Sequence, residues 1–185
     1  MVWLGELQAT RSATPPLPFV MKMKRPDKMR FEVTVENEKS IRAFDGVAGW
    51  KVKPPRSGRP ELKPFTPEEV RYAHDAPGID GPLIDHEAKG IGVELEGTDE
   101  VEGHKAYRLK VRLPSGTTRR VWVDVSTFLD LKYERRTRGT DGQEGTVFVY
   151  YRDYRDTGSL QIPMTIETAS ADAMPGGGRH AATGN

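Results

Sequence analysis

The feature that most constrains this chain is a two-residue alternation that recurs along nearly all of it. In KMRFEVTVEN, Met29, Phe31, Val33 and Val35 fall on one side, and Arg30, Glu32, Thr34 and Glu36 fall on the other. That is the period of a strand with one buried face. The pattern returns at Phe19, Met21 and Met23; at Trp50 and Val52; at Val93 and Leu95; and at Tyr107, Leu109, Val111 and Leu113. It continues through Val121, Val123 and Val125; Leu129, Leu131 and Tyr133; and Leu160, Ile162, Met164 and Ile166. Together with WLGELQAT, SIRAFD and TVFVYYR, these stretches predict about eleven strands. Turn dipeptides punctuate them at Glu36-Asn37, Asp45-Gly46, Glu102-Gly103, Ser115-Gly116 and Asp141-Gly142, which predicts hairpins and an antiparallel order.

Helix is scarce. TPEEVRYAHDA offers Thr66 as an N-cap, Pro67 at the first helical position and two acids in the first turn, and Pro77-Gly78 stops it. About eleven strands at ~4.8 Å spacing make a sheet roughly 50 Å across, whereas a ten-residue helix is ~15 Å long and ~10 Å wide. One helix cannot roof such a sheet, so the sheet must cover itself. The expected fold class is mainly β: a single strongly curved antiparallel sheet with a small lid of helix and loop, at about residues 54–91, over an apolar concave face. Residues 1–170 are expected to form one domain, and the small, Gly-rich tail 171–185 to be disordered. The expected lining is Met21, Met23, Met29, Phe31, Val33, Val35, Trp50, Val52, Leu109, Val111, Val121, Val123, Leu129, Leu131, Ile162 and Met164. Methionines suit a lining that must adapt to its occupant, though they also serve as ordinary core filling.

Several function classes find no support. The 28 basic and 27 acidic residues give a net charge of +1, so no global field draws in nucleic acid or an anionic surface. Arg135, Arg136 and Arg138 stand among acids that offset them, which reads as a solvated turn. Zero cysteines exclude disulfides and a thiol nucleophile, and no apolar run approaches the ~18 residues of a membrane helix. Asp85, His86 and Glu87, with His74 and Asp75, lack metal-ligand spacing, so no metal or cofactor is expected. Ser126 or Ser159 with His104 lacks the Gly-x-Ser-x-Gly setting of a hydrolase nucleophile.

MKRPDKMRFEV followed by FDGVAGWKVKP resembles the lysine-arginine-proline segment, strand, aspartate-glycine turn, tryptophan and proline of the periplasmic LolA-like lipoprotein-sorting carriers. DGPLIDHEAKG, VEGHKAYRLKV and VWVDVSTFLDLKYE look like an outlying branch of that family. The resemblance implies an eleven-stranded half-barrel with a lid over an apolar cavity. It further implies lid control by Arg25 and a place for Trp50 at the cavity mouth. By itself the sequence allows Trp50 to be either a core anchor or a ring offered to a ligand, and Arg30 reads as a surface cation. The implied function is non-enzymatic, periplasmic carriage of lipoprotein acyl chains or another lipid. Its implied partners are an inner-membrane donor and an outer-membrane acceptor, and the carrier itself is a monomer. MVWLGELQAT is no signal peptide, so this reading expects a leader upstream of Met1. The alternative is a signalling or protein-interaction domain of the same fold with no lipid cargo.

Overall fold

The computed structural model describes residues 1–9, 15–53, 59–138, 144–158, 160–170 and 180–184. The chain divides into two compact units, one of Met1–Leu7 and Pro16–Ile84, the other chiefly of residues 85–184. The first carries β1 (Val2–Ala9, its last two residues beyond the unit), β2 (Leu17–Lys24), β3 (Lys28–Val35), β4 (Glu38–Phe44), β5 (Gly49–Lys53), β6 (Glu61–Pro64) and helix α1 (Pro67–Asp75). The second carries β7 (Gly92–Val101), β8 (His104–Arg112), β9 (Thr118–Asp124), β10 (Asp130–Arg138), β11 (Glu144–Asp156), β12 (Gln161–Ser170) and β13 (His180–Gly184). Every pairing within each unit joins neighbours in sequence and is antiparallel.

The Glu36-Asn37 and Glu102-Gly103 turns and the helix signals act locally, and they behave as predicted. Glu36 and Asn37 take positive φ of 50° and 67°, and Glu102 and Gly103 take 52° and 85°, the left-handed geometry that matches a tight hairpin to strand twist. Helix α1 opens on a capping box: the Glu69 amide donates to Thr66 Oγ1 at 3.2 Å, and Glu69 Oε2 accepts from the Thr66 amide at 2.9 Å. It ends at Ala76, which is extended at ψ 141°, as the residue before a proline prefers.

The strand count and their grouping differ from expectation. Instead of one sheet of about eleven strands, β1–β6 and β7–β12 form two six-stranded antiparallel sheets, neither closed. In both, pairing proceeds hairpin by hairpin. It stops where α1 and the long loop 76–91 separate β6 from β7, leaving both as sheet edges. Glu61–Pro64, within the expected insertion, pairs with β5 as β6. Part of the tail expected to be disordered, His180–Gly184, pairs with β12. Residues 171–179 and the Asp141-Gly142 turn lie outside the described residues.

In the second unit both sides of the sheet bury residues. Val111, Val121, Val123, Tyr133 and Val149 are buried on one side; Val101, Ala106, Trp122, Tyr150 and Ala169 form a cluster on the other. A bulge between Asp130 and Lys132 breaks the expected Leu129–Leu131–Tyr133 alternation. It turns Leu131 toward the Trp122 cluster, whereas Tyr133 pairs with Val121.

Candidate functional site

In the first unit, register places side chains on faces without ambiguity, because residues directly opposite in an antiparallel pair share a side. Trp3 pairs with Met21 and Met21 with Phe31; Met23 pairs with Met29, and Phe19 with Val33. These apolar groups form one face across β1, β2 and β3, with the Phe19 and Phe31 rings 5.5 Å apart. Five predicted lining residues, Met21, Met23, Met29, Phe31 and Val33, therefore meet there and are half-buried, while Val35 at the strand end is 37% exposed. Trp3 joins them, half-buried, with an indole N–H that is shielded from water and has no acceptor. Sequence reasoning missed Trp3, although the alternation of Trp3, Gly5 and Leu7 carried the signal.

The same face continues onto β4 and β5, where α1 covers it. The His74 ring stands edge-on to Phe44 at 4.9 Å. Glu69 accepts from Lys51 Nζ at 2.6 and 2.7 Å and from Arg42 at 3.3 Å. Burial pushes the Glu69 carboxyl up, but Lys51, the Thr66 amide and Arg42 outweigh it and bring it down to about 2. Phe65, which precedes the helix, lies so close on Gly49 that a Cβ there would sit 2.0 Å from the ring. The Arg42 guanidinium lies over that ring, 4.7 Å from its centroid. After the helix, Asp80 is gripped by Arg25 through Nε at 2.7 Å and Nη2 at 2.6 Å. Helix α1 is thus held on β4 and β5, and the loop that follows it on the β2–β3 turn.

Trp50 and Val52 do not belong to that face. Trp50 pairs with Ala43, Ala43 with Arg30, and Val52 with Ile41, which puts them on the opposite side of the sheet from Met21 and Phe31. The tryptophan signature by itself does not fix which side of the sheet the ring takes; the register does. Trp50 is 38% exposed, so it is not a fully buried core anchor.

In the second unit Leu109 pairs with Val121, and Tyr107 with Val123; Val111, Val121 and Val123 are fully packed. Ile162 and Met164 alternate with Ile166, which pairs with Tyr151. Leu129 lies in the turn before β10, and Leu131 is on the other side of the sheet from Val121. Among these buried side chains Asp130 is pushed up to about 6 by burial, and burial raises the Tyr151 phenol well above its ordinary value.

The opposite side of the second sheet, which holds the Trp122 cluster, also carries a group of charged side chains. A groove of about 690 Å³ is lined by Glu94, Leu95, Glu96, Arg108, Arg120, Trp122, Glu134 and Phe148, and none of the predicted lining residues contributes to it. Arg120 binds Glu96 at 2.6 Å and Glu134 at 3.3 Å, and Arg108 approaches Glu96 at 3.4 Å. Beside it Lys132 sits 4.5 Å from the Trp122 ring and 4.9 Å from that of Phe148.

His104 and Ser126 do not form a nucleophile–base pair, because Asp124 stands between them. It accepts from the Ser126 hydroxyl at 2.5 Å and lies 3.0 Å from His104 Nδ1. The Ser126 hydroxyl, followed by the Thr127 and Ser126 amides, holds the Asp124 carboxyl far below the usual range. That constellation caps a turn. Ser159 and the Arg138 side chain lie outside the described residues.

No protein-family profile matches the chain, and no curated protein matches it in sequence. Solved structures do match in three dimensions, each over 100% of this chain and 82% of the other. A LolA superfamily protein from Nitrosomonas europaea gives a TM-score of 0.62 at 13% identity. A domain described as outer membrane lipoprotein-sorting from Vibrio parahaemolyticus gives 0.61 at 10%, and a DUF1329 family protein from Desulfovibrio piger gives 0.60 at 11%. At such identities the likeness is one of fold: the chain has the fold found in the LolA superfamily.

Proposed function

We propose that this protein is a non-enzymatic binder and carrier of acyl chains, from lipoproteins or another lipid, working in the periplasm. The observation that carries this reading is the continuous half-buried face of Trp3, Met21, Met23, Met29 and Phe31. The sole helix among the described residues is committed elsewhere, to β4 and β5. A sixteen-carbon chain fully sheltered from water gains on the order of 12 kcal/mol at ~0.8 per methylene. Even a face that shelters half of it therefore supplies affinity without specific polar contacts. The Trp3 N–H adds one directional element, because a buried donor with no acceptor costs about 1–3 kcal/mol, and an ester or amide carbonyl at the head of an acyl chain would relieve that. Arg25, by clasping Asp80, holds the loop that follows the helix and is the residue to control its opening.

The test is displacement of a fluorescent fatty-acid probe. Met21→Glu places a carboxylate in the middle of the face and is expected to weaken binding at least tenfold, with the circular dichroism spectrum unchanged. Equal affinity for both proteins, or no probe binding by the parent, would remove this reading.

A further inference from the structure

The side of the first sheet that faces away from α1 does not have the composition of an ordinary solvated sheet face. Register lays out two rows of side chains that cross all six strands. One runs Val2, Lys22, Arg30, Ala43, Trp50, Pro64; the next runs Leu4, Val20, Glu32, Ile41, Val52, Leu62. A water-facing side of an antiparallel sheet is expected to be polar, yet the second row is apolar at five of its six positions. Its large members are well exposed: Leu62 at 65%, Leu4 at 54%, and Trp50 of the first row at 38%. The single acid of these rows, Glu32, is neutralised within the face by Arg30 at 2.6 Å and Lys39 at 3.2 Å.

The cations on this side are Lys22, Lys24, Lys28, Arg30 and Lys39, all exposed; against them the strands bring only Glu6 and Glu32. Lys24 pairs directly with Lys28, and Lys22 with Arg30, so like charges oppose each other twice in adjacent rows. Cross-strand like-charge pairs are destabilising unless an anion lies against them. The chain's overall charge of +1 conceals this local excess.

We propose that this face docks on an anionic lipid bilayer, with Lys22, Lys24, Lys28 and Arg30 against the headgroup phosphates and Trp50, Leu4 and Leu62 at the level of the acyl boundary. An exposed tryptophan amid aliphatic groups and lysines is the combination that settles at a membrane interface. A second copy of this chain is a poor occupant, since the excess positive charge would face itself. The proposal does not rest on acyl-chain binding, which uses the opposite side of the sheet.

The experiment is co-sedimentation with vesicles of phosphatidylcholine alone and of phosphatidylcholine with 30% phosphatidylglycerol. Binding to the anionic vesicles is expected to be at least tenfold tighter and to weaken in 0.5 M salt. Lys22→Gln with Lys24→Gln should weaken it about 30-fold, at roughly fivefold per cation near an anionic surface, while fatty-acid probe affinity stays unchanged. The fluorescence blue shift on binding should disappear in Trp50→Phe. Equal binding to neutral vesicles, an unaltered affinity in the double variant, or sedimentation of the free protein as a dimer broken by Trp50→Ala would each overturn the proposal. So would an absence of vesicle binding together with salt-sensitive capture of an acidic peptide by this face.

Discussion

Replacing Glu69 by glutamine tests whether the helix is held on the sheet by charge. The carboxylate lies 2.6 Å from Lys51 and 3.3 Å from Arg42, and its side chain is only 22% exposed, so solvent screening is modest. Its pKa falls from 4.5 in the unfolded chain to about 2 in the folded one. At ~1.36 kcal/mol per unit, that difference is worth up to about 3 kcal/mol at neutral pH. Because the folded value is the lower one, the contribution is complete above pH ~4.5 and is lost as pH falls toward ~2. Urea denaturation of both proteins at pH 7 should show Glu69→Gln less stable by about 2–3 kcal/mol, and the gap should close between pH 4.5 and 2. Removing the acid also strands Lys51, whose side chain is 19% exposed, so adding Lys51→Met should recover part of the loss. A gap under about 0.5 kcal/mol at pH 7, or one that persists at pH 2, would refute the reasoning.

Four further outcomes are expected. Gly49→Ala brings a methyl to 2.0 Å from the Phe65 ring and should cost about 3 kcal/mol by urea denaturation; Phe65→Leu in the same chain should restore part of it. Asp130→Asn should stabilise the protein at pH 7 by up to about 3 kcal/mol, since a folded pKa of about 6 against 3.8 unfolded means that burial opposes the charged form. That gain should fade as pH falls from 6 to 3.8, and a stability difference independent of pH would contradict it. Val121→Ala, at a position 2% exposed, should lose about 2 kcal/mol, and a thermal midpoint within a degree of the parent would show that the site collapses without cost. Arg25→Leu should leave the denaturation midpoint unchanged and alter the rate at which a fatty-acid probe exchanges, measured by stopped-flow; unchanged exchange would end the lid-control assignment.

The sharp motifs of the LolA-like resemblance lie in residues 22–54, and within that stretch the structure separates two signatures. Arg25 binds Asp80 in the loop after the helix. Trp50 faces away from the methionine face, because its pairing with Ala43 and Arg30 sets its side. Leu131 shows the same limit: its alternation with Leu129 and Tyr133 is regular in sequence and broken in space by one bulge.

What the sequence determined by itself is whatever depends on neighbours along the chain. This covers the half-buried strands, the hairpins at Glu36-Asn37 and Glu102-Gly103, and the helix with its Thr66–Glu69 box, each governed by backbone geometry within a few residues. The tertiary structure alone decided which strand face meets which. Period two says that alternate residues share a side but not which side of the next strand they oppose, so only the register could set Trp3 beside Met21, Trp50 in the row of Lys22, and Glu69 over Lys51.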